Sequence, residues 1–258
     1  MKNMLSDDDS NYMMSVADVM SGLMFIFIIT LAIFVVDFLV ASKEHETKIK
    51  KLAEVLSKLD ENALLRAKML DDMQNKLLKL NVDVDVDKEH GVLRLNENAI
   101  RFTTGSSELS PEQLNRLRTV AQVLSEILPC YGANPPASRH CLPETSGKLD
   151  SVFIEGHTDN VPIGGRLSLI YEDNWALSAS RAIYTYRQVI EAETMLGTMV
   201  NGSQQPVISV SGYGEGRPVP GHEYTVPTND AINRRIDFRF IMSPPSFTET
   251  QAALEGNL

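Results

Sequence analysis

Val19 to Val36 is a stretch of 18 uncharged, mostly apolar residues. A helix rises about 1.5 Å per residue, so the stretch reaches the lower limit for crossing a bilayer. It is too long for the apolar core of a signal peptide, and no small-residue cleavage site follows it. Two carboxylates, Asp18 and Asp37, bracket it. The flanking charges give a contrary orientation signal. Lys2 is the one basic residue before the span, beside Asp7, Asp8 and Asp9, whereas Lys43, Lys48, Lys50 and Lys51 follow it. Counted alone, they would place the C-terminus in the cytoplasm. The formal net charge of −10 argues against broad attraction to nucleic acid.

Beyond the span, Ile49, Leu52, Leu56, Leu59, Ala63, Leu70, Met73, Leu77 and Leu80 fall on alternating three- and four-residue steps, with Arg66 as the one break. Such a seam predicts a two-stranded parallel coiled coil, about 48 Å long if helical throughout. The same spacing also fits a single amphipathic helix packed on its own domain.

Val82, Val84 and Val86 alternate with Asp83, Asp85 and Asp87, which predicts a strand with one solvated face. The Asp triplet is no EF-hand, because Lys88 stands where the loop needs Gly and no closing Glu follows. The remainder reads as α+β. Strands are expected at 92–95, 152–155, 207–211 and 236–241. Helices are expected from Pro111, capped by Ser110, to about Leu128, and from Asn174 to about Ile190. The Pro- and Gly-rich stretch 129–150 reads as an inserted loop. It holds both cysteines, Cys130 and Cys141, which form one disulfide in an oxidising compartment or remain thiols. Neither a zinc spacing nor a Cys-x-x-Cys motif is present. The tail from Ser243 reads as disordered.

Four ordered motifs dominate the second half: Phe153-Ile154-Glu155-Gly156-His157-Thr158-Asp159-Asn160, Asn174-Trp175-Ala176-Leu177-Ser178-Ala179-Ser180-Arg181-Ala182, Gly212-Tyr213-Gly214-Glu215 and Asn233-Arg234-Arg235-Ile236. In this order and spacing they resemble the OmpA/MotB peptidoglycan-binding family over roughly residues 82–242, in a form closer to MotB than to outer-membrane porins. The resemblance implies a mixed sheet with helices on one face. It also implies that Asp159 takes the ammonium of a diaminopimelate stem peptide and Arg181 its carboxylate, which suits an anion and a donor fork held apart. Asn174 and Arg234 match further ligand positions, and Thr104 a lesser one. Gly105 departs from the polar residue usual in that family loop. An internal Asp159–Arg181 salt bridge is the purely structural alternative. His157 has no metal-ligand partner at a suitable spacing, no Gly-x-Ser-x-Gly elbow is present, and no enzyme activity is expected.

Val16-Ala17-Asp18-Val19-Met20-Ser21-Gly22-Leu23-Met24 resembles the MotB membrane motif, in which the Asp binds and releases a proton or sodium ion. A carboxylate in or near a bilayer is costly when charged, so neutralising it becomes a switch. Ser21 and Gly22, one turn on, would let a partner helix approach closely. The plain alternative is that Asp18 ends the span at the interface. Asp37 lies about 28 Å away along a helix and has no motif around it.

The expected organisation is a short cytoplasmic tail (1–12), a single-pass transmembrane helix (13–41), a coiled-coil stalk (42–81), an α+β OmpA-like domain (82–242) and a C-terminal tail (243–258). A wall-binding domain must lie outside, so the resemblance overrides the charge signal. It implies a bacterial inner-membrane protein with a cytoplasmic N-terminus and a periplasmic domain. Two function classes follow. One is a stator subunit in parallel dimeric form inside a larger MotA/ZorA-like partner, a pentamer, with H+ or Na+ translocated at Asp18 and no cofactor. The other is a passive tether from membrane to wall. Within the first class, the acidic N-terminal segment and the cysteine-bearing insert lean towards the Zorya antiviral system, whose ZorB subunit has this architecture, over the flagellar motor.

Overall fold

The computed structural model describes residues 6–95, 99–100, 102–103 and 106–244, with side chains from Met13 onward except at position 54. The chain divides into two compact units, residues 1–57 with 246–258, and Lys58–Pro245. One helix, α1 (Ser6–Lys79), contributes to both.

In the first unit α1 holds the one helix among the described residues that is long and apolar enough to cross a membrane. Its most apolar 18-residue stretch has a mean hydropathy of 2.9 and none of it is buried. Phe27 and Phe34 stand about two-thirds exposed. Thr30 satisfies its hydroxyl locally by donating to Ile26 O and Phe27 O, so it adds no unpaired polar group to this surface.

The second unit is a five-stranded mixed sheet with helices on one face. Its strands are β1 (Asp85–Asp87), β2 (Val92–Leu95), β3 (Leu149–Gly156), β4 (Ile208–Gly212) and β5 (Ile236–Met242), in spatial order β1-β2-β5-β3-β4. Among the described residues only β3 and β4 pair in parallel, joined by the crossover helix α3 (Asn174–Ala192). In β5 alternation sorts the faces: Ile236, Phe238, Phe240 and Met242 enter the core, while Asp237 and Arg239 turn the other way. Helix α2 (Pro111–Ile127) starts where Ser110 and Gln113 cap each other reciprocally, with Pro111 in the first turn. Its far end is closed by Arg139, which donates to Ser125 O and Glu126 O.

The insert is an ordered loop. Two 3-10 turns, Leu128–Cys130 and Pro143–Thr145, lie in it, and the Cys130–Cys141 disulfide, with Cα atoms 5.2 Å apart, ties the end of the first to the segment just before the second. Thr145 Oγ1 donates to Cys130 O, and Leu149 N to Tyr131 O, leading the chain into β3.

Three expectations need correction. The predicted coiled-coil seam is divided: Leu70, Met73 and Leu77 are almost fully buried in the core of their own domain, beside Met69 from outside the seam, while Ile49, Leu52, Leu56 and Leu59 are exposed, as is Leu80 at the helix end. A heptad stripe and the buried stripe of a helix lying on a sheet share one period, and an apolar face of the same chain lay within reach of the second half. The compact unit accordingly starts near Lys58, well before residue 82. The strand expected from Val82 is only Asp85–Asp87, because Val82 and Val84 turn into the core ahead of it. Ser243, assigned to a disordered tail, is fixed: its N–H donates to Lys148 O, its hydroxyl to Gly147 O, and its carbonyl accepts from Asn62 Nδ2. Residues 245–258 lie outside the described residues.

Candidate functional site

The site is built where α3 meets the ends of β3 and β5. Gly156 and Gly212, partners in the β3–β4 register, end their strands beneath the first turns of α3. A Cβ on Gly156 would lie 2.1 Å from Ser178 O, and one on Gly212 2.5 Å from Ala179 N. Backbone therefore rests on backbone, and Ser178 Oγ accepts from Gly214 N at 2.9 Å. The helix is started by Asp173, whose carboxylate accepts from Ala176 N at 2.8 Å.

After β3 the chain continues through His157 N→Arg235 O and Thr158 N→Gly214 O to Asp159. Asn174 Nδ2 donates to Val161 O at 3.0 Å and Asp159 O at 3.4 Å, fixing the turn that presents the carboxylate. Asp159, Asn174, Arg181 and Arg234 line one cleft, together with Thr158, Val161, Pro162, Ile163, Leu167 and Leu177. Thr104, the fifth residue expected there, lies outside the described residues.

Within the cleft the ion pair of Asp159 is with Arg234, Nη1 to Oδ2 at 2.6 Å, and the same nitrogen donates to Asn229 Oδ1. Arg181, 1% exposed, donates instead to three backbone carbonyls: Ser106 O at 3.0 Å, His157 O at 3.3 Å and Thr103 O at 3.4 Å. Its guanidinium also lies 5.0 Å from the centre of the Phe102 ring. Burial lowers the Arg181 pKa to about 10, partly offset by Asp159, so it stays charged at neutral pH. The cleft thus offers one carboxylate, two guanidinium groups and a side-chain amide over an apolar floor, which is the equipment for an ion bearing both charges.

A second polar cluster, itself buried, lies beside it on the side of the sheet to which Asp237 and Arg239 turn. Glu155, His157 and Asp237 bring potential ligand atoms within 4.8 Å of one another. Both carboxylates are already engaged. Arg239 grips Glu155 at 2.7 and 2.9 Å, and Arg235 and Arg94 hold Asp237 at 3.1 and 3.3 Å. A cation would have to displace arginines, so we assign no metal there. His157 lies within this cluster, with neither ring nitrogen hydrogen-bonded, stacked on Tyr213. Burial and the surrounding arginines push its pKa down to about 2, so it is neutral. Sequence reasoning found neither this network nor Asn229. The network's one signal was the alternation of charge with apolar residues in β5, and Asn229 had none.

Asp18 and Asp37 flank the apolar run of α1, both exposed. Gly22 has no atom within 4 Å of where a Cβ would stand, so this surface is uncovered.

No protein-family model matches the chain, and no curated protein does. Among solved structures it is similar to a MotB-like protein from Desulfovibrio vulgaris, at 21% identity over 71% of this chain and 98% of that one, with a TM-score of 0.48. It is also similar to the periplasmic domain of Helicobacter pylori MotB, at 18% identity over 65% and 87%, with a TM-score of 0.41. A third similar structure is the cell wall anchor of the T6SS from Pseudomonas aeruginosa, at 19% identity over 67% and 96%, with a TM-score of 0.43.

Proposed function

We propose that this chain anchors an inner-membrane machine to peptidoglycan by gripping diaminopimelate-type stem peptides in the cleft of Asp159, Asn174, Arg181 and Arg234. The observation that carries this reading is the convergence of these four side chains, from three sequence motifs, on one cleft. The exposed end of a diaminopimelate residue bears an ammonium and a carboxylate. Asp159 supplies the anion for the first, and the guanidinium forks of Arg181 and Arg234 supply donors for the second.

The membrane helix extends the proposal. Asp18 sits at the N-terminal edge of the uncharged run Val19–Val36 of α1, on an uncovered surface beside Ser21 and Gly22, the arrangement of the MotB membrane motif that the sequence resembles. An intramembrane acid is a site for a translocated ion. In this reading the chain is the ion-handling, wall-anchored subunit of a rotary motor. It is dimeric through the exposed seam Ile49–Leu59, sits inside a larger MotA/ZorA-like pentamer and carries H+ or Na+. Its N-terminus is cytoplasmic and its second unit periplasmic. The disulfide-bearing insert favours the Zorya defence branch over the flagellar one. A passive tether would need no acid at position 18.

Full-length chain in detergent should sediment with isolated diaminopimelate-type peptidoglycan. Arg181→Lys keeps the charge but loses the fork, and should weaken sedimentation about tenfold or more, the worth of one charge-assisted hydrogen bond. Undiminished binding by a well-folded Arg181→Lys protein would refute the assignment of Arg181. Whether helicase or nuclease genes, or flagellar and chemotaxis genes, adjoin the coding sequence separates the two motor branches.

A further inference from the structure

Arg234 Nη1 lies between two side-chain oxygens, Asp159 Oδ2 at 2.6 Å and Asn229 Oδ1. One cationic nitrogen thus has two acceptors, the Asp159 carboxylate of the cleft lining and an amide carbonyl from the loop that precedes β5. A primary ammonium asks for the same surroundings, since it carries its charge on a single nitrogen with several donors. Asn229 is exposed, so a ligand can approach from its side, whereas Asp159 is 6% exposed. The guanidinium is also incompletely satisfied where it rests: Arg234 Nε is buried without a hydrogen-bond partner.

The loop carrying Asn229 is held in place on both sides. Asn160, the residue after Asp159, donates from Nδ2 to Tyr224 O and Val226 O, each at 2.8 Å, and accepts at Oδ1 from Thr228 N at 2.7 Å. Asn233, the residue before Arg234, accepts from Val219 N at 2.8 Å and donates to His222 O and Asp230 Oδ2, both at 2.9 Å. Two asparagines flanking the ion pair in sequence therefore fix the loop that brings up the second acceptor.

We propose that Asn229 is a ligand-binding residue, forming with Asp159 a two-oxygen cradle for the free ammonium of a diaminopimelate side chain, a cradle that Arg234 Nη1 occupies in this structure. The proposal rests on the diaminopimelate reading of the cleft and names the part of the ligand the cradle selects. An entering ammonium takes over both acceptors. The released guanidinium then turns its donors to the adjacent carboxylate of the ligand. A stem whose amine is acylated, as in a cross-link, carries no charge to exchange for that of Arg234 and is rejected.

The test is calorimetric titration of the full-length chain in detergent with two probes, L-Ala–γ-D-Glu–meso-diaminopimelate and the same tripeptide N-acetylated on its distal amine. The readout is the ratio of the two affinities. Asn229→Ala should reduce that ratio about tenfold, the loss of one charge-assisted hydrogen bond made only to the free amine. Asn229→Asp, which keeps an acceptor oxygen, should retain the discrimination. An unchanged ratio in Asn229→Ala, even with both affinities lowered together, would overturn the cradle and leave Asn229 a structural residue. Asp159→Asn tests the underlying reading separately: wild-type affinity for the free-amine tripeptide in that variant would refute the cleft as a diaminopimelate site.

Discussion

Gly156 and Gly212 face each other in the parallel register of β3 and β4, and both meet the backbone of α3, at Ser178 and Ala179. This double contact sets the depth at which the helix lies on the sheet. It thereby fixes how far Arg181, one turn further along α3, stands from Asp159 beyond the end of β3. A methyl group at position 156 would overlap Ser178 O, a backbone atom that moves only with the helix. Gly156→Ala should therefore cost about 3 kcal/mol or more, roughly 6–12 °C in Tm for a domain of this size. Gly164→Ala, with open space around the new Cβ, is the control and should change Tm little. Trp175, the single tryptophan, sits in the first turn of α3 and reports the transition by its fluorescence.

Acid should destabilise the second unit through His157. Its ordinary pKa of 6.5 falls to about 2 in the folded protein, mainly through burial. Below pH 6.5 the unfolded chain takes up a proton that the folded one refuses, so stability falls with falling pH until about pH 2. The slope is at most ~1.4 kcal/mol per pH unit, or about 2 kcal/mol between pH 6.5 and 5. Asp237 works in the opposite sense. Burial raises its pKa, so the folded state takes up that proton more readily than the unfolded one. Comparing melting curves of wild type and His157→Gln at pH 7.5 and 5.0 isolates the histidine. The variant should lose less stability on acidification than wild type, and equal losses would assign the acid response to other groups.

The elements that sequence placed well are those with local causes. Ser110, Pro111 and Gln113 start α2 by their own hydrogen bonds and ring geometry, and the Asp173 carboxylate starts α3 by capping it. The apolar stretch of α1 needs only a run of apolar residues. Of the candidate site, the sharing of one cleft by Asp159, Asn174, Arg181 and Arg234 was legible, but their bonds were not. Asp159 pairs with Arg234 because β3 and β5 are antiparallel neighbours with Gly156 opposite Ile236, which brings the segment after one strand beside the segment before the other. Sheet order is a long-range outcome, and no spacing in the motifs encodes it. Arg181 and Arg234 carry the same charge and the same fork, so chemistry alone could not tell which one Asp159 would take.

The divided seam predicts divided cross-linking. Leu56 is 54% exposed and Leu77 only 1%. In a Cys130→Ser/Cys141→Ser background, Leu56→Cys should cross-link between copies under mild oxidation, as the dimer through the exposed half requires. Leu77→Cys should not cross-link, and should cost about 2–5 kcal/mol as a truncation in the core. Non-reducing gels and melting curves read the two effects. Absence of cross-linking at Leu56, with the membrane partner present, would count against the coiled-coil dimer.

Asp18 provides the sharpest division between motor and tether. The side chain lies on an exposed helix surface next to Ser21 and Gly22, whose small size leaves room for a partner helix. Asn has the shape of Asp but cannot be charged or bind a translocated cation with the same strength. Asp18→Asn should therefore leave wall binding and assembly with the larger membrane subunit intact while abolishing ion flux and biological activity. Asp37→Asn, outside the motif, should have a milder effect. Flux can be followed with a pH- or sodium-sensitive dye in vesicles holding the assembled complex. Undiminished activity in Asp18→Asn would leave the tether as the better account, since a tether works only through its two ends: the membrane helix and the cleft of Asp159 and Arg181.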